Sequence, residues 1–419
     1  MARIEPLHTV RYEPSAVGSL QNVLAPPYDV IDPPLRRELA ARSPFNVVEI
    51  DLPEADGRDP YQHAEETFEN WRQQGVLTQE REPAIWALEQ SFTTPDGAQR
   101  TRRGIFARVR VEDYGPGRIR PHERTHPGPK EDRLRLTRAT RANLSPVFSL
   151  FTDPDGAVQA IVEGLASGEP WAQARDDEGT HNTLWRIADP SAITALSDAL
   201  GDSELLIADG HHRYETARVY AEEVGGEGPH RYVLMLLCSL ADPGLAVFPT
   251  HRLLTGLADD TVKQQAIREV LTTHFEVEQV DDLTPPGEGP VAFGYMDSFH
   301  RQPYRATLKD PDAVVRALPD KPQAYRDLDT AVLEALVLEG ALGMSEDDIA
   351  HFRGLGYSKS LDEARAKVES GEVDAAFFMR ATPVQQVQAV AAEGESMPPK
   401  STFFFPKVPT GLVFNLLEQ

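Results

Sequence analysis

Between Leu205 and Leu240 the chain packs four signals into 36 residues. An apolar run, Leu205 to Ala208, meets an Asp-Gly pair; a helix-patterned segment follows from His212 to Glu223, and a second apolar run closes the stretch from Tyr232 to Leu240. Runs this short, bounded by turn residues, have the length of buried strands, and the segment between them places Tyr214, Ala217, Val219 and Ala221 on or near one helix face. A strand, a sharp turn, a helix and a strand make a βαβ-sized unit and commit the chain to a mixed α and β architecture. Tyr232 to Leu240 is also the longest apolar run, and it is half of the roughly 20 residues that cross a bilayer. The N-terminus MARIEPLH has no apolar signal core. A soluble, cytoplasmic protein without membrane partners is expected.

The remaining pattern gives an α+β fold class, mixed sheets with helices. A helix is expected over 61–74, ended by Gly75, then strands over 84–93 and 103–111 joined by the turn residues Pro95, Asp96 and Gly97. Helices follow over 157–166 and 190–200, and a strand over 245–249. From about 256 the pattern gives helices at 261–273, 326–340, 346–353, 360–369 and 383–392, with strands at 275–280, 290–296, 303–308 and 373–379. No repeat of 20 to 50 residues is visible, which excludes solenoids and propellers. A chain of 419 residues is long enough for two to three domains, and the change of pattern sets a boundary near 255, giving regions 1–255 and 256–419.

Charge narrows the partners. Lys plus Arg number 42 and Asp plus Glu 66, a formal charge of −24, so sequence-independent binding to nucleic acid or an anionic membrane is excluded as a default. A single cysteine, Cys238, rules out an intrachain disulfide and a multi-cysteine metal site, and its apolar neighbours read as packing around a core thiol. Only 8 of the 42 basic residues are lysines. Lys130 stands alone in the first 262 residues, and Lys400 and Lys407 lie close together near the end. In an arginine-dominated chain, a lysine supplies a compact, mobile ammonium.

Three segments carry chemistry. The sharpest is the Asp209-Gly210-His211-His212-Arg213 turn: free N–H groups and the positive dipole end of a helix favour an anion, and the planar fork of Arg213 suits phosphate oxygens. Asp209 either caps the helix or faces a metal or substrate. The second segment, within residues 114–146, reads as an irregular basic loop that is either solvated or a mobile clamp for a polyanion; Glu123 is its nearby proton acceptor and Lys130 its lone ammonium. The third, Met397 to Lys407, spaces Gly394, Lys400 and Ser401 like a Walker A loop, but Pro399 replaces the second glycine and a Phe-rich strand follows, so a P-loop is excluded. Lys400 and Ser401 border a site or sit on an edge strand. Tyr28 and Asp29, after Pro26-Pro27, are held beside a pocket or form a surface turn. His181 and Thr250-His251-Arg252 are further polar candidates. H-E-x-x-H, G-x-S-x-G and G-x-G-x-x-G are absent, which removes support for zincin, α/β-hydrolase and Rossmann readings.

APPYDVI (25–31), HERT with KEDRLRL (122–136), SPVF (145–148), ADGHHRYETA (208–217) and MPPKSTFFFPK (397–407) follow in order along almost the whole chain. Together they resemble DUF family 1015, an uncharacterised conserved family. GHHRYETA is also similar to the shorter G-x-x-R-x-x-x-A nucleotide-binding box of the ParB and sulfiredoxin-like group. Some relatives are kinases of free L-serine that make O-phosphoserine. The resemblance implies a ParB/sulfiredoxin-like nucleotide-binding core in 1–255 and a C-terminal α/β region whose segment 397–407 returns to the site. It implies ATP or ADP as donor, with Mg2+. Gly210, His211, His212, Arg213, Arg124 and Arg133 would then hold the nucleotide, with Asp209 beside the metal and Glu123, Asp209, His211 and Lys130 at the chemistry. Tyr28, Asp29, Lys400 and Ser401 would hold the amino acid. Two alternatives stand beside this: a ParB-like nucleotide-binding switch without turnover, and a metal hydrolase using Asp209, His211, His212 and His122 or His181. Histidines at i and i+1 do not share a helix face, which weakens the last.

Overall fold

The computed structural model describes residues 3–418 apart from 55, 56, 96, 124, 126 and 202, together with the backbone but not the side chains of 127–129. The chain divides into two compact units. The first comprises Met1–Pro121, Thr125–Leu245 and Pro406–Gln419, and the second His122–Arg124 and Ala246–Phe405. The division therefore falls at 245/246, where the sequence pattern set it near 255, because strand His251–Leu254 pairs with strands Leu355–Ser358 and Ala375–Phe378 of the second unit. The architecture is α+β.

The first unit is built on a nine-stranded mixed sheet. Strand Tyr232–Ser239 lies inside it, antiparallel to Gln99–Arg110 on one side and parallel to Val147–Phe151 on the other, so all eight of its residues are buried, Cys238 included. Leu205–Asp209 is antiparallel to Val147–Phe151. The two apolar runs of the βαβ-sized unit therefore run in opposite directions with one strand between them, and the unit is not a parallel crossover. Ile85–Thr93 and Gln99–Arg110 form the expected hairpin, closed by hydrogen bonds between Thr94 and Ala98. Helix Pro60–Gln73 starts where Asp59 caps it, and proline occupies the first helical position.

Helix Pro33–Arg42, in a proline-punctuated stretch read as irregular, departs from the sequence reading, and two further segments of this unit do so as well. Residues Pro127–Thr140, expected to be irregular, form a fourteen-residue helix. Its prolines lie in the first turn, where no intrahelical N–H bond is lost, and Arg133, Leu136 and Thr140 bury one face. The C-terminal segment is woven into the same unit: Asn415–Leu416 pairs with Ala142–Asn143, and Phe414 is fully buried against Tyr12.

The second unit holds a six-stranded antiparallel sheet whose core gathers Phe275, Phe293 and Phe377 under helix Thr261–His274. The helix expected over 326–340 is a short α-helix, Asp329–Leu333, that continues as wide π-helical turns through Glu334–Ala341. Strand Phe403–Phe405 pairs with Ala246–Phe248. No helix among the described residues is long and apolar enough to cross a membrane.

Candidate functional site

Leu205–Asp209 is a buried strand that ends in Gly210, whose φ of +91° opens helix His211–Val224. Glycine is required twice over. The left-handed region disfavours other residues, and a Cβ would stand 2.9 Å from Nε of Arg213. Arg213 folds back beneath the turn, donating to Asp209 Oδ2, to Ser145 Oγ at 3.0 Å and to the Pro146 carbonyl. Lys407 donates to the other oxygen, Asp209 Oδ1. Burial pushes the Asp209 carboxyl upward, but the Lys407 ammonium and the Arg213 guanidinium outweigh it and hold the group well below the usual carboxylate range. Burial likewise lowers Lys407, yet Asp209 and then Asp29 leave its ammonium more basic than usual.

This arrangement corrects two readings. The Arg213 fork is turned inward onto protein acceptors, so it does not reach out to phosphate; it fixes Asp209. Asp209 neither caps the helix nor offers a bare carboxylate to a cation, since each oxygen already carries one. Among the described residues no group of three or more His, Cys, Asp or Glu is placed to hold a metal ion. The residues present therefore do not fit a magnesium ion held by Asp209, and the hydrolase reading loses its ligand set. His211 is buried and His212 half-buried, as adjacent helix positions on different faces require. The helix that opens at Gly210 has no side-chain cap, and its first-turn N–H groups stand at the positive dipole end.

Tyr28 and Asp29 lie in a 3-10 turn, Tyr28–Val30, set by Pro26-Pro27. The Arg133 guanidinium covers the Tyr28 ring at 4.1 Å. Arg133 is buried: it donates to the Asp51 carbonyl at 2.6 Å, to Asp51 Oδ1 at 3.3 Å and to Asp132 Oδ2 at 2.7 Å. It is thus a fixed strut in a helix, and the mobile-clamp reading is corrected for it. Burial pushes the Tyr28 hydroxyl up to about 12 and raises the Asp51 carboxyl, which Arg133 and Arg213 pull the other way. Lys130 sits half-buried on the first turns of the same helix, and Arg124 lies outside the described residues.

Glu123, Lys400 and Ser401 belong to the second unit. Glu123 pairs with Met397, whose N–H donates to the His122 carbonyl at 2.7 Å. Ser401 is buried and donates to the Pro398 carbonyl at 2.6 Å; its hydroxyl also meets that of Thr330 at 2.9 Å, and its carbonyl accepts from Thr382. Those bonds hold the turn, and a substrate-binding role for Ser401 is withdrawn. Lys400 is exposed at φ +56°. The buried Arg252 guanidinium donates to the Thr250 carbonyl and, at 3.1 Å, to that of Pro399. Burial and then Arg252 push the neighbouring His251 down to about 4, so it is neutral at pH 7 and accepts from the Met379 N–H. His181 stands exposed on strand His181–Ile187.

The predicted residues thus form two groups: Asp209, Gly210, Arg213, Tyr28, Asp29 and Arg133 in the first unit, and Glu123, Lys400 and Ser401 in the second. Asp51, Ser145 and the pairing of Lys407 with Asp209 escaped sequence reasoning. The lysine scarcity pointed at Lys407, but no local signal names a partner 198 residues away.

A family model described as "Protein of unknown function (DUF1015)" matches residues 4–331. No curated protein matches. Among solved structures, a conserved hypothetical protein from Pyrococcus furiosus is 16% identical over 74% of this chain and 95% of its own, with a TM-score of 0.37. A free serine kinase variant in complex with AMP is 14% identical over 74% of this chain and 92% of its own, with a TM-score of 0.39. The same kinase with ADP gives 13%, 77%, 95% and 0.39. Overlaps this loose transfer neither a fold nor an activity.

Proposed function

The chain belongs to the DUF1015 family, and on that premise we propose that it is a nucleotide-dependent phosphotransferase whose acceptor is the hydroxyl of free L-serine. The observation that carries this reading is the turn itself. A left-handed glycine opens a fourteen-residue helix, and directly beneath it Asp209 pins an ammonium and a guanidinium in place. Phosphoryl transfer asks for fixed positive potential around spreading oxygen charge, and groups already locked need no rearrangement during the reaction. The helix N-terminus adds N–H groups that phosphate oxygens accept from. The choice of serine rests on the five-motif resemblance.

In the reaction, the serine Oγ bonds to the terminal phosphorus and the bond from that phosphorus to the bridging oxygen breaks. The nucleotide departs with one phosphate fewer, and the hydroxyl proton passes to a carboxylate. Gly210, His211 and His212 receive the phosphates through the turn, Lys130 meets the terminal phosphate, and Tyr28 and Asp29 flank the amino acid. No residue is assigned to magnesium. The test is turnover by the purified protein with ATP, ADP or CTP as donor and a panel of hydroxyl amino acids, followed by direct detection of O-phosphoserine. Nucleotide binding without turnover of any acceptor would replace this reading with the regulatory switch. A folded protein that binds no nucleotide would remove both.

A further inference from the structure

Beside the Asp209 turn the first unit has a small, partly open cavity of about 40 Å3, whose wall includes Tyr28, Asp51, Arg133, Ser145, Arg213 and Thr216. It has room for a group of two or three heavy atoms and not for a nucleoside. Asp51, Arg133, Ser145 and Thr216 are each at least nine-tenths buried. Among the residues that line it, two buried polar atoms have no hydrogen-bond partner: Oγ1 of Thr216 and Nε of Arg213. Buried donors are almost always paired, so an orphaned pair in one cavity points to something that binds there.

Thr216 is the telling residue. Four other helical threonines close onto the carbonyl four residues back: Thr137 onto Arg133 at 2.9 Å, Thr140 onto Leu136 at 2.9 Å, Thr194 onto Pro190 at 2.8 Å and Thr272 onto Arg268 at 2.8 Å. Thr216, in the middle of helix His211–Val224, makes no such bond. Its hydroxyl and the Arg213 Nε–H are donors, and the wall carries two guanidiniums against a single acid. That acid, Asp51, is already held by Arg133 through both its carbonyl and Oδ1. Arg133 and Arg213 are also paired, with Asp132 and Asp209, so the surplus of this wall is in donors, and a surplus of donors in a space of this size fits a planar acceptor of three heavy atoms.

We propose that this cavity receives the α-carboxylate of the amino-acid acceptor, with Thr216 Oγ1 and Arg213 Nε donating to it and Arg133 supplying the field. The proposal rests on the phosphotransferase reading and deepens it: the α-carboxylate, and not only the hydroxyl, is what the protein selects. Hydroxyl compounds without that group, such as ethanolamine or L-serinamide, lack the anchor.

Two measurements test it, both on the full chain. In steady-state kinetics the wild type is expected to prefer L-serine over L-serinamide by at least about 100-fold in kcat/KM. Thr216→Val is expected to raise KM for L-serine about 10-fold, to leave serinamide kinetics and nucleotide affinity unchanged, and to be rescued by Thr216→Ser. A wild type that uses both compounds equally overturns the proposal outright, and so does a Thr216→Val protein with unaltered preference, in which case the cavity holds water only. If no hydroxyl compound is turned over, the phosphotransferase reading fails by itself. Calorimetric titration of L-serine and L-serinamide into the wild type then decides the cavity separately: binding of L-serine alone sustains it, and equal or absent binding ends it.

Discussion

At Gly210 the backbone takes φ +91° directly against a guanidinium, and at Lys400 it takes φ +56° with the side chain in solvent. Packing dictates the first residue, because any Cβ would collide with Arg213. The second is a lysine where glycine would be less strained, and it is held there by the prolines before it and the Ser401 hydroxyl after it. The two turns also treat charge oppositely. The Gly210 turn closes its cations onto Asp209, inside the protein; the Lys400 turn leaves its ammonium without an ion pair among the described residues. One turn stores a fixed potential, whereas the other presents a charge at the price of backbone strain.

The largest test of this contrast is Lys407→Met. It leaves Asp209 buried with one of its two cations gone, and breaking such a buried pair is expected to destabilise by about 3–5 kcal/mol, read as a lower denaturant midpoint at unchanged slope. The loss carries a pH signature. Burial raises Asp209 but Lys407 and Arg213 overcome it, so its contribution is complete above the unfolded carboxylate value of ~3.9 and is lost as pH falls through the depressed folded value. Lys407 has the opposite sign: its contribution is complete below ~10.4 and is lost as pH rises through the raised folded value. Stability curves of the wild type should therefore fall at both extremes, and Lys407→Met should lose the alkaline fall and weaken the acid one. A variant as stable as the wild type would mean that the pair contributes nothing.

Gly210→Ala should destabilise by about 2 kcal/mol through the left-handed backbone and the clash with Arg213, and should weaken nucleotide binding in the folded fraction. Lys400→Gly is the smallest and has the reverse sign. Relief of the left-handed strain is expected to stabilise by up to about 1 kcal/mol, visible as a slightly higher Tm, because no ion pair is lost. A destabilised Lys400→Gly would show that the ammonium has a structural partner after all.

Most elements were legible because they rest on local periodicity: the hairpin of Ile85–Thr93 with Gln99–Arg110 matches the pattern within a few residues, and so does much of the succession after residue 256, although helix Pro311–Ala317 and strand Leu355–Ser358 were not expected there. The exceptions have physical causes. Pro, Gly and His in the stretch before Arg133 imitate a loop, yet the prolines fall where a helix tolerates them. The direction of Arg213 was not legible because its acceptors, Ser145 and the Pro146 carbonyl, come from a segment 68 and 67 residues away. Residue types gave the chemistry of the turn, while the long-range partners that decide whether a fork points out or in are a property of the packed sheet.

The return of Pro406–Gln419 to the first unit carries a consequence for how the molecule is made. On the ribosome, the 160 residues Ala246–Phe405 must emerge between strand Tyr232–Ser239 and Lys407. Until then Asp209 waits without its ammonium, and Ala142–Asn143 without the strand that pairs with it. The charge centre of the first unit is therefore among the last features to be completed in synthesis, so a nascent chain halted short of residue 407 would have the turn's sequence without its electrostatics.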